Sequence, residues 1–565
     1  MNDVLKSVQE EMMAPGQMFE VTTVEVRGQE VRAWQSAPGT LRDLWALTAG
    51  HGDKDYLVYE DERWTYLHAH QEVSRIANWL VAQGIGKGDR VAIAMRNYPE
   101  WMLSYWAITS IDAAVVGVNA WWVAEELAYA LEDSDPKIMI CDRERLERFD
   151  GIRDRFPGIR ALAVRVPELP DWATPWSELL SADPEMPEAT VEPDDDACIF
   201  YTSGTTGRPK GAQLTQRSCA QNVFSMLFLN FTQLRAIAQL RDNPSLDPLS
   251  GQGPAPASLV TTPLFHVTAN NCSAQVTTLI GGKLVHMYKW DTAEALRLVE
   301  AEKLTSVTGV PVMSRELLQH PDFAKRDVST LVGLGGGGAA VQPDLISKID
   351  DSGRVGMQGY GMTETSGLIS GSVGNFLSAK PASCGPVLPV YEVKCIDGNG
   401  NALPPGEAGE VCVRGVQVIK GYLNRPEATA DTIIDGWLHT GDIGYLDQEG
   451  FLYLVDRAKD MVLRGGENVY CSEVENALFR HPAIAEAAVF SVPDDRLGEE
   501  VGTAVLTLPG QTVSADELRA FCREHLAAFK IPRYIWMMSE PLPRNASGKF
   551  LKKELQQTLD PSAAA

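Results

Sequence analysis

Between Tyr66 and Ala82 the apolar positions recur at helical spacing, and the turn Gly86-Lys87-Gly88-Asp89 then leads into the apolar run Arg90 to Ala94. The first pattern predicts an amphipathic helix and the second a short buried strand. Pro99 to Ile108 reads as another helix and Val115 to Val118 as another strand. Repetition of this rhythm predicts parallel sheets covered by helices, an α/β fold. The stretch from Leu240 to Ser258 is rich in Pro, Gly, Ser and Asp and predicts a surface loop. From Val387 onward the texture changes to short strands and turns (Val390 to Ile396, Gly409 to Arg414, Phe451 to Val455), which predicts a smaller β-rich subdomain. The segment after Asp456 is long enough for a compact α+β domain of its own. The expected organisation is a large N-terminal domain of two helix-covered parallel sheets over residues 1–456, with the β-rich subdomain at about 387–456. A small, mobile α+β C-terminal domain is expected over 457–565. There is no internal repeat and no low-complexity tract.

Length sharpens this picture, since 565 residues exceed what one hydrophobic core supports. Apolar residues make up 44% and charged residues 22%, an ordinary soluble composition. The longest apolar stretches, such as Ile111 to Val118, fall short of the roughly 18 residues a membrane span requires. With no signal-like run at the N-terminus, a cytoplasmic protein is expected. Nine cysteines without a CxxC pair argue against a zinc site or a disulfide framework and fit a reducing compartment. A net charge of −25 disfavours nucleic-acid partners, whose binding depends on phosphate neutralisation. A polyanionic substrate would therefore need cations and backbone N–H groups concentrated at its site.

Such a concentration follows the apolar strand Ile199 to Tyr201, in Thr202-Ser203-Gly204-Thr205-Thr206-Gly207-Arg208-Pro209-Lys210-Gly211. Glycines let backbone N–H groups approach phosphate oxygens, hydroxyls donate further hydrogen bonds, and Lys210 adds positive charge. The segment is not a Walker A loop, because Lys210 is followed by Gly211 rather than Ser or Thr. Elsewhere, Thr363-Glu364 pairs a hydroxyl with a carboxylate, which suits phosphate and Mg²⁺. Lys549, in Ser547-Gly548-Lys549 after Pro543, is a long cation on a turn, whereas Lys552 and Lys553 read as solvated lysines. Gly333-Leu334-Gly335-Gly336-Gly337-Gly338 satisfies GxGxxG, with Asp350 and Asp351 downstream, and leaves a remote dehydrogenase alternative.

The segment Tyr201 to Gly211 resembles the signature of the adenylate-forming superfamily, which contains acyl-CoA synthetases, peptide-synthetase adenylation domains and luciferases. Further matches follow in the family's order: Pro263 to His266, Gln358 to Thr365, Trp437 to Asp442, Asp456 to Asp460, Gly465 to Tyr470, and Pro543 to Lys549. The resemblance spans roughly Trp64 to Leu555. It implies an ATP-dependent carboxylic acid:CoA ligase that forms acyl-AMP and pyrophosphate, then a thioester with release of AMP. ATP, Mg²⁺ and coenzyme A would be its cofactor and co-substrates, with a small carboxylic acid as substrate; a homodimer is compatible with this reading.

By the same resemblance the phosphates and nucleotide meet Thr202, Ser203, Gly204, Thr205, Thr206, Gly207 and Lys210. Tyr360 would stack on adenine, flanked by Gln358 and Gly359, with the backbone of Gly338 and Ala339 opposite. Small glycine neighbours are expected to leave room for a flat ligand against the Tyr360 ring. Thr363 and Glu364 would serve phosphate and Mg²⁺, with Glu364 the metal ligand, and Asp442 would hold the ribose with Arg457 assisting. Lys549 is the expected catalytic cation between the substrate carboxylate and the α-phosphate, alongside Thr205, Glu364 and His266. Lys459 maps to the pivot on which the small domain turns between half-reactions, and Gly465 and Gly466 to the coenzyme A tunnel.

His266, Thr268, Cys272, Gly336, Gly361 and Leu368 would line the acyl pocket. Thr268, Cys272, Gly336, Gly361 and Leu368 are small or apolar and include no charged residue, such as an Asp for a substrate ammonium, so a hydrophobic acid is expected, with a medium or longer fatty acid slightly favoured. An aryl or alicyclic acid, or a stand-alone adenylating enzyme, remains the alternative. The chain ends soon after Lys549, which weighs against a carrier domain and a peptide-synthetase module. Departures from the family pattern are Asn119-Ala120-Trp121-Trp122 in place of Asn-Pro, Gly338-Ala339-Ala340-Val341 without its proline, Cys471 at another proline position, and Asn545 for a usual Thr. The segment Phe224 to Ser258 reads equally as an acyl-tunnel lid or as a buried helix followed by an inert loop.

Overall fold

The computed structural model describes residues 2–202, 208–337, 341, 343–457, 460–464, 467–544 and 549–565. Backbone contacts divide the chain into two compact units, 1–392 with 414–438 and 393–413 with 439–565.

In the first unit the predicted helix forms over Tyr66–Ala82, capped by the Thr65 side chain on the His68 N–H. The strand Arg90–Ala94 follows as expected, and the next helix, opened by a proline in its first turn, is fully buried over Pro99–Ser110. These elements belong to an eight-stranded sheet whose centre is parallel: Asp196–Thr202, Ala114–Gly117, Arg90–Ala94, Ile138–Asp142 and Arg160–Val164 lie side by side. A second eight-stranded sheet runs from Gly367–Val373 through Val355–Met362, Gly333–Gly337, Ser306–Gly309 and Ala257–Val260 to Lys283–His286 and the hairpin Asp55–Tyr59 with Glu62–Thr65. Strands covered on both faces need no polar alternation, which is why Val91 to Ala94 are all buried.

The turn Asn119 to Trp122, which lacks the family's proline, is held by cations. Arg145 donates to the Ala120 carbonyl at 3.1 Å, and Arg148 to the carbonyls of Ala120 and Trp122 at 2.8 and 2.9 Å. Arg145 is itself buried and paired with Asp142.

Phe224 to Leu240 belongs to a 25-residue helix, Gln216–Leu240, with Phe224, Leu227, Phe228 and Leu229 buried. The lid reading is thereby corrected for that part, which packs into the core. Residues 241–256 form the expected surface loop, and Ala257 and Ser258 already belong to a buried strand. The glycine run is corrected as well. Gly333–Gly337 is an inner strand of the second sheet, and Gly338, the last glycine of the pattern, lies outside the described residues. Gly335 and Gly336 adopt φ of +139° and +147°, and a Cβ on either would stand 2.1 Å from a backbone carbonyl oxygen. Those glycines serve close strand packing, and the dehydrogenase alternative loses its basis.

The strand Trp437–Leu446, which enters the second unit at His439, forms an antiparallel hairpin with Phe451–Arg457 that sets Asp442 opposite Arg457. A five-stranded sheet of Glu467–Val469, Val462–Arg464, Gly498–Thr507, Ile484–Asp494 and Tyr534–Met538 is covered by the helices Cys471–Phe479 and Ala515–Arg523. Among the described residues no helix is long and apolar enough to cross a membrane.

Candidate active site

Both ends of the Thr/Gly-rich loop are anchored. Thr202 ends one strand and pairs with Lys210 at the start of its antiparallel neighbour. Tyr201 donates to Asp133 at 3.0 Å, and Asp133 in turn receives Arg425 at 2.8 Å. Tyr129 donates to the Pro209 carbonyl at 2.7 Å, and the Arg208 guanidinium lies 5.0 Å from the centre of its ring. Ser203, Gly204, Thr205, Thr206 and Gly207 themselves lie outside the described residues, as do Gly338, Ala339, Lys459, Gly465, Gly466 and Asn545.

Lys210 and Glu364 are joined through Tyr422, a residue that the sequence reading missed. The Lys210 ammonium sits 3.9 Å from the centre of the Tyr422 ring. The Tyr422 hydroxyl donates to Glu364 Oε1 at 2.7 Å. Burial, and then the neighbouring Glu364 carboxylate, hold that phenol well above its usual range, so it stays a donor. Glu364 is 8% exposed and sits in the short helical turn Thr363–Thr365; its own carbonyl accepts from the Ile419 N–H at 3.0 Å. One nearly buried carboxylate beside a cation-bearing loop fits Mg²⁺, which takes few protein ligands and completes its shell with water and phosphate.

Tyr360 is half-buried on Val355–Met362, and Gln358, on the same strand, donates to the Ser383 carbonyl at 3.2 Å. Its glycine neighbours also serve the packing of the sheet. A Cβ at Gly361 would stand 1.8 Å from the Gly367 carbonyl oxygen, and one at Gly359 would stand 2.6 Å from the Leu368 side chain. These glycines let Val355–Met362 press against Gly367–Val373 at a bulge between Tyr360 and Gly361.

Two of the acyl-pocket candidates, Leu368 and Cys272, meet another missed residue, Asn222, fully buried on the helix Gln216–Leu240. Its Oδ1 accepts from Leu368 N–H at 2.9 Å, and its amide donates to the Asn271 carbonyl at 3.0 Å. His266 stands at the N-cap position of the short helix Val267–Ala269, without a side-chain capping bond, and that helix contains Thr268. A π-helical turn, Asn270–Ala274, then carries Cys272; such turns are frequent at functional sites. Burial pushes the Cys272 thiol up to about 12, while a hydrogen bond with Asn222 works against that rise. Thr308 donates to Ser273 at 3.4 Å, and the adjoining Gly309 pairs with Gly336. His266, Thr268, Cys272, Gly336 and Leu368 are thus carried by three neighbouring elements. Further along, the helix is sealed onto the strand Gly367–Val373. Gln233 donates to the Gly371 carbonyl at 3.0 Å and accepts from Val373 N–H at 2.7 Å, and Leu229 sits over Gly371.

In the second unit Asp442 is buried and paired with Arg457 at 3.0 Å, and its N–H donates to the Thr440 hydroxyl at 3.1 Å. Lys549 is exposed, next to Phe550, which bridges to Arg544. Lys552 corrects the expectation of a solvated lysine: it is mostly buried and paired with Glu475 at 2.7 Å. Lys553 is exposed as expected.

Comparison with known proteins places this geometry. A profile of the AMP-binding enzyme family matches residues 44–423, and a profile of the AMP-binding enzyme C-terminal domain matches 473–549. A feruloyl-CoA synthase from Amycolatopsis is 36% identical over 87% of this chain and 93% of its own. A crotonobetaine/carnitine–CoA ligase from Salmonella arizonae is 32% identical over 91% of this chain and 98% of its own. Among solved structures, o-succinylbenzoate CoA synthetase from Bacillus subtilis, in complex with its acyl-adenylate, aligns with a TM-score of 0.76. It is 30% identical and covers 91% of this chain and 97% of that one.

Proposed function

We infer the reaction from one premise: the chain belongs to the AMP-binding enzyme family, in the branch of AMP-forming acid:CoA ligases. ATP and coenzyme A are its co-substrates and Mg²⁺ its metal cofactor. A carboxylate is a poor electrophile, so the acid first displaces pyrophosphate from the α-phosphate of ATP. The thiol of coenzyme A then attacks the acyl carbonyl and AMP leaves. Positioning and charge stabilisation dominate such a transfer.

The roles of individual residues are proposals. Lys210 and the loop 203–207 hold the phosphates, and Tyr422 orients Glu364, which would hold Mg²⁺ and so neutralise phosphate charge. Tyr360 supports adenine, Asp442 with Arg457 binds the ribose hydroxyls, and Lys549 neutralises charge developing between carboxylate and α-phosphate. Lys459 is the pivot between half-reactions, and Gly465 and Gly466 pass the pantetheine chain.

For the acid, we propose a compact, mainly apolar substrate of the aryl class, ahead of a long-chain fatty acid. The observation that carries this is the seal between helix Gln216–Leu240 and strand Gly367–Val373. Gln233 and Leu229 close the helix onto the strand beyond Leu368, and an alkyl chain passing between the two would strand two backbone groups. Feruloyl-CoA synthase and o-succinylbenzoate CoA synthetase among the relatives support the same class. The test is a panel of acids with ATP, Mg²⁺ and coenzyme A, followed by AMP release and thioester mass. Hydroxycinnamic and benzoic acids should exceed fatty acids of twelve or more carbons by at least about tenfold in kcat/KM, a difference near 1.4 kcal/mol. The reverse order would contradict the aryl assignment while leaving the reaction class intact.

A further inference from the structure

Glu410 and Cys412 stand two apart on the strand Gly409–Gly415 and so share a face of the sheet. The neighbouring strand Trp437–Leu446 brings His439 to them. His439 Nδ1 lies 3.0 Å from Glu410 Oε2 and 3.6 Å from Cys412 Sγ. One donor atom from each residue lies within 4.8 Å of the other two. Cys412 is buried, whereas Glu410 and His439 are partly exposed and leave a path from solvent. None of the three has a role in the adenylation chemistry described above.

We propose that Glu410, Cys412 and His439 form a binding site for a borderline-soft divalent ion, Zn²⁺ foremost, with water as the fourth ligand. The donor set is one that Zn²⁺ accepts, a thiolate, an imidazole and a carboxylate. The spacing agrees. Zn–S of about 2.3 Å and Zn–N of about 2.0–2.1 Å at a tetrahedral angle put sulfur and nitrogen about 3.5 Å apart. The same construction puts nitrogen and carboxylate oxygen about 3.4 Å apart, so the Glu410–His439 contact need open by only a few tenths of an ångström.

In the metal-free protein Cys412 is a thiol, held up at about 12 by burial and by the Glu410 carboxylate. Binding therefore forms an S–metal bond and releases the thiol proton to solvent, while His439, whose Nδ1–H donates to Glu410 in the metal-free protein, changes to the Nε2–H tautomer and coordinates through Nδ1. The second oxygen of Glu410 accepts from Gly441 N–H at 3.2 Å, and Thr440 donates to the Val411 carbonyl at 2.7 Å. An ion here would tie together the two strands just ahead of Asp442. The donors are invisible to linear motif reading because Cys412 and His439 come from two strands, 27 positions apart.

Co²⁺ titration of the full-length, metal-free protein in a non-thiol reductant tests this. One equivalent should produce near-ultraviolet thiolate-to-cobalt absorption and the visible bands of a tetrahedral ion, and Zn²⁺ should displace both and raise Tm. Cys412→Ser should abolish the thiolate band. His439→Gln, which keeps the thiol, should weaken Zn²⁺ binding at least tenfold. A wild-type protein without the thiolate band, or a band that persists in Cys412→Ser, overturns the proposal.

Discussion

Lys549→Ala is expected to slow acid-dependent adenylate formation about 10²–10³-fold, the usual cost of removing a positioned charge-stabilising donor. Thioester formation from supplied acyl-adenylate and coenzyme A should stay within a few-fold of wild type. The asymmetry arises because the lysine is needed where carboxylate meets α-phosphate, and the second step begins after that bond exists. The substitution is local: on one side of the loop Arg544 pairs with Glu486 at 2.9 Å and lies 4.0 Å from the ring of Phe550. Lys459→Pro is the complementary variant. Proline fixes φ, so a pivot there should leave adenylation intact and lose thioester formation. Equal impairment of both half-reactions by Lys549→Ala would remove that assignment, and normal turnover of Lys459→Pro would remove the pivot.

Glu475→Ala is expected to destabilise the second unit by about 3 kcal/mol, the low end for breaking a buried pair from one side. Burial alone would pull the Lys552 ammonium down, yet Glu475 and the nearby Cys471 and Asp456 hold it above its usual range. Removing Glu475 strands that cation, which keeps 19% of its side chain exposed and so escapes the full penalty. The Val489 N–H also loses its acceptor, at 2.8 Å in the native protein. Asp456 cannot easily replace Glu475, since burial has raised its carboxyl to about 6 and it already accepts from Cys471 N–H. Chemical denaturation of the wild type, Glu475→Ala and Glu475→Ala/Lys552→Met checks this. The double variant should recover most of the loss, because an apolar side chain needs no partner. A single variant as stable as wild type would refute the buried pair.

What the sequence disclosed depended on whether the signal was local. The helix Tyr66–Ala82 and the strand Arg90–Ala94 lie where their patterns predicted, because one face or both faces are buried and the turns between them are explicit. Phe224 to Leu240 was ambiguous for the opposite reason. A helix buried on several sides, with Asn222 and Gln233 turned inward, has no clean polar face to set its period. The phosphate loop was legible from composition, and Glu364 from its neighbour Thr363. Tyr422, which joins Lys210 to Glu364, stands 58 positions from Glu364, and no local pattern marks it. Lys552 looked like any terminal lysine until Glu475, on another helix, supplied its partner. The glycines around Tyr360 stand out in the sequence for their smallness, but the close approach of the Gly367 carbonyl and the Leu368 side chain on the adjacent strand has no local signal.

The account rests on an acyl-adenylate formed before coenzyme A takes part. Exchange of labelled pyrophosphate into ATP, measured with acid and Mg²⁺ but no coenzyme A, tests it most directly. Exchange that requires a hydroxycinnamic or benzoic acid, and falls at least a hundredfold in Lys549→Ala, is the predicted result. Exchange that is absent without coenzyme A, or independent of any acid, would contradict it.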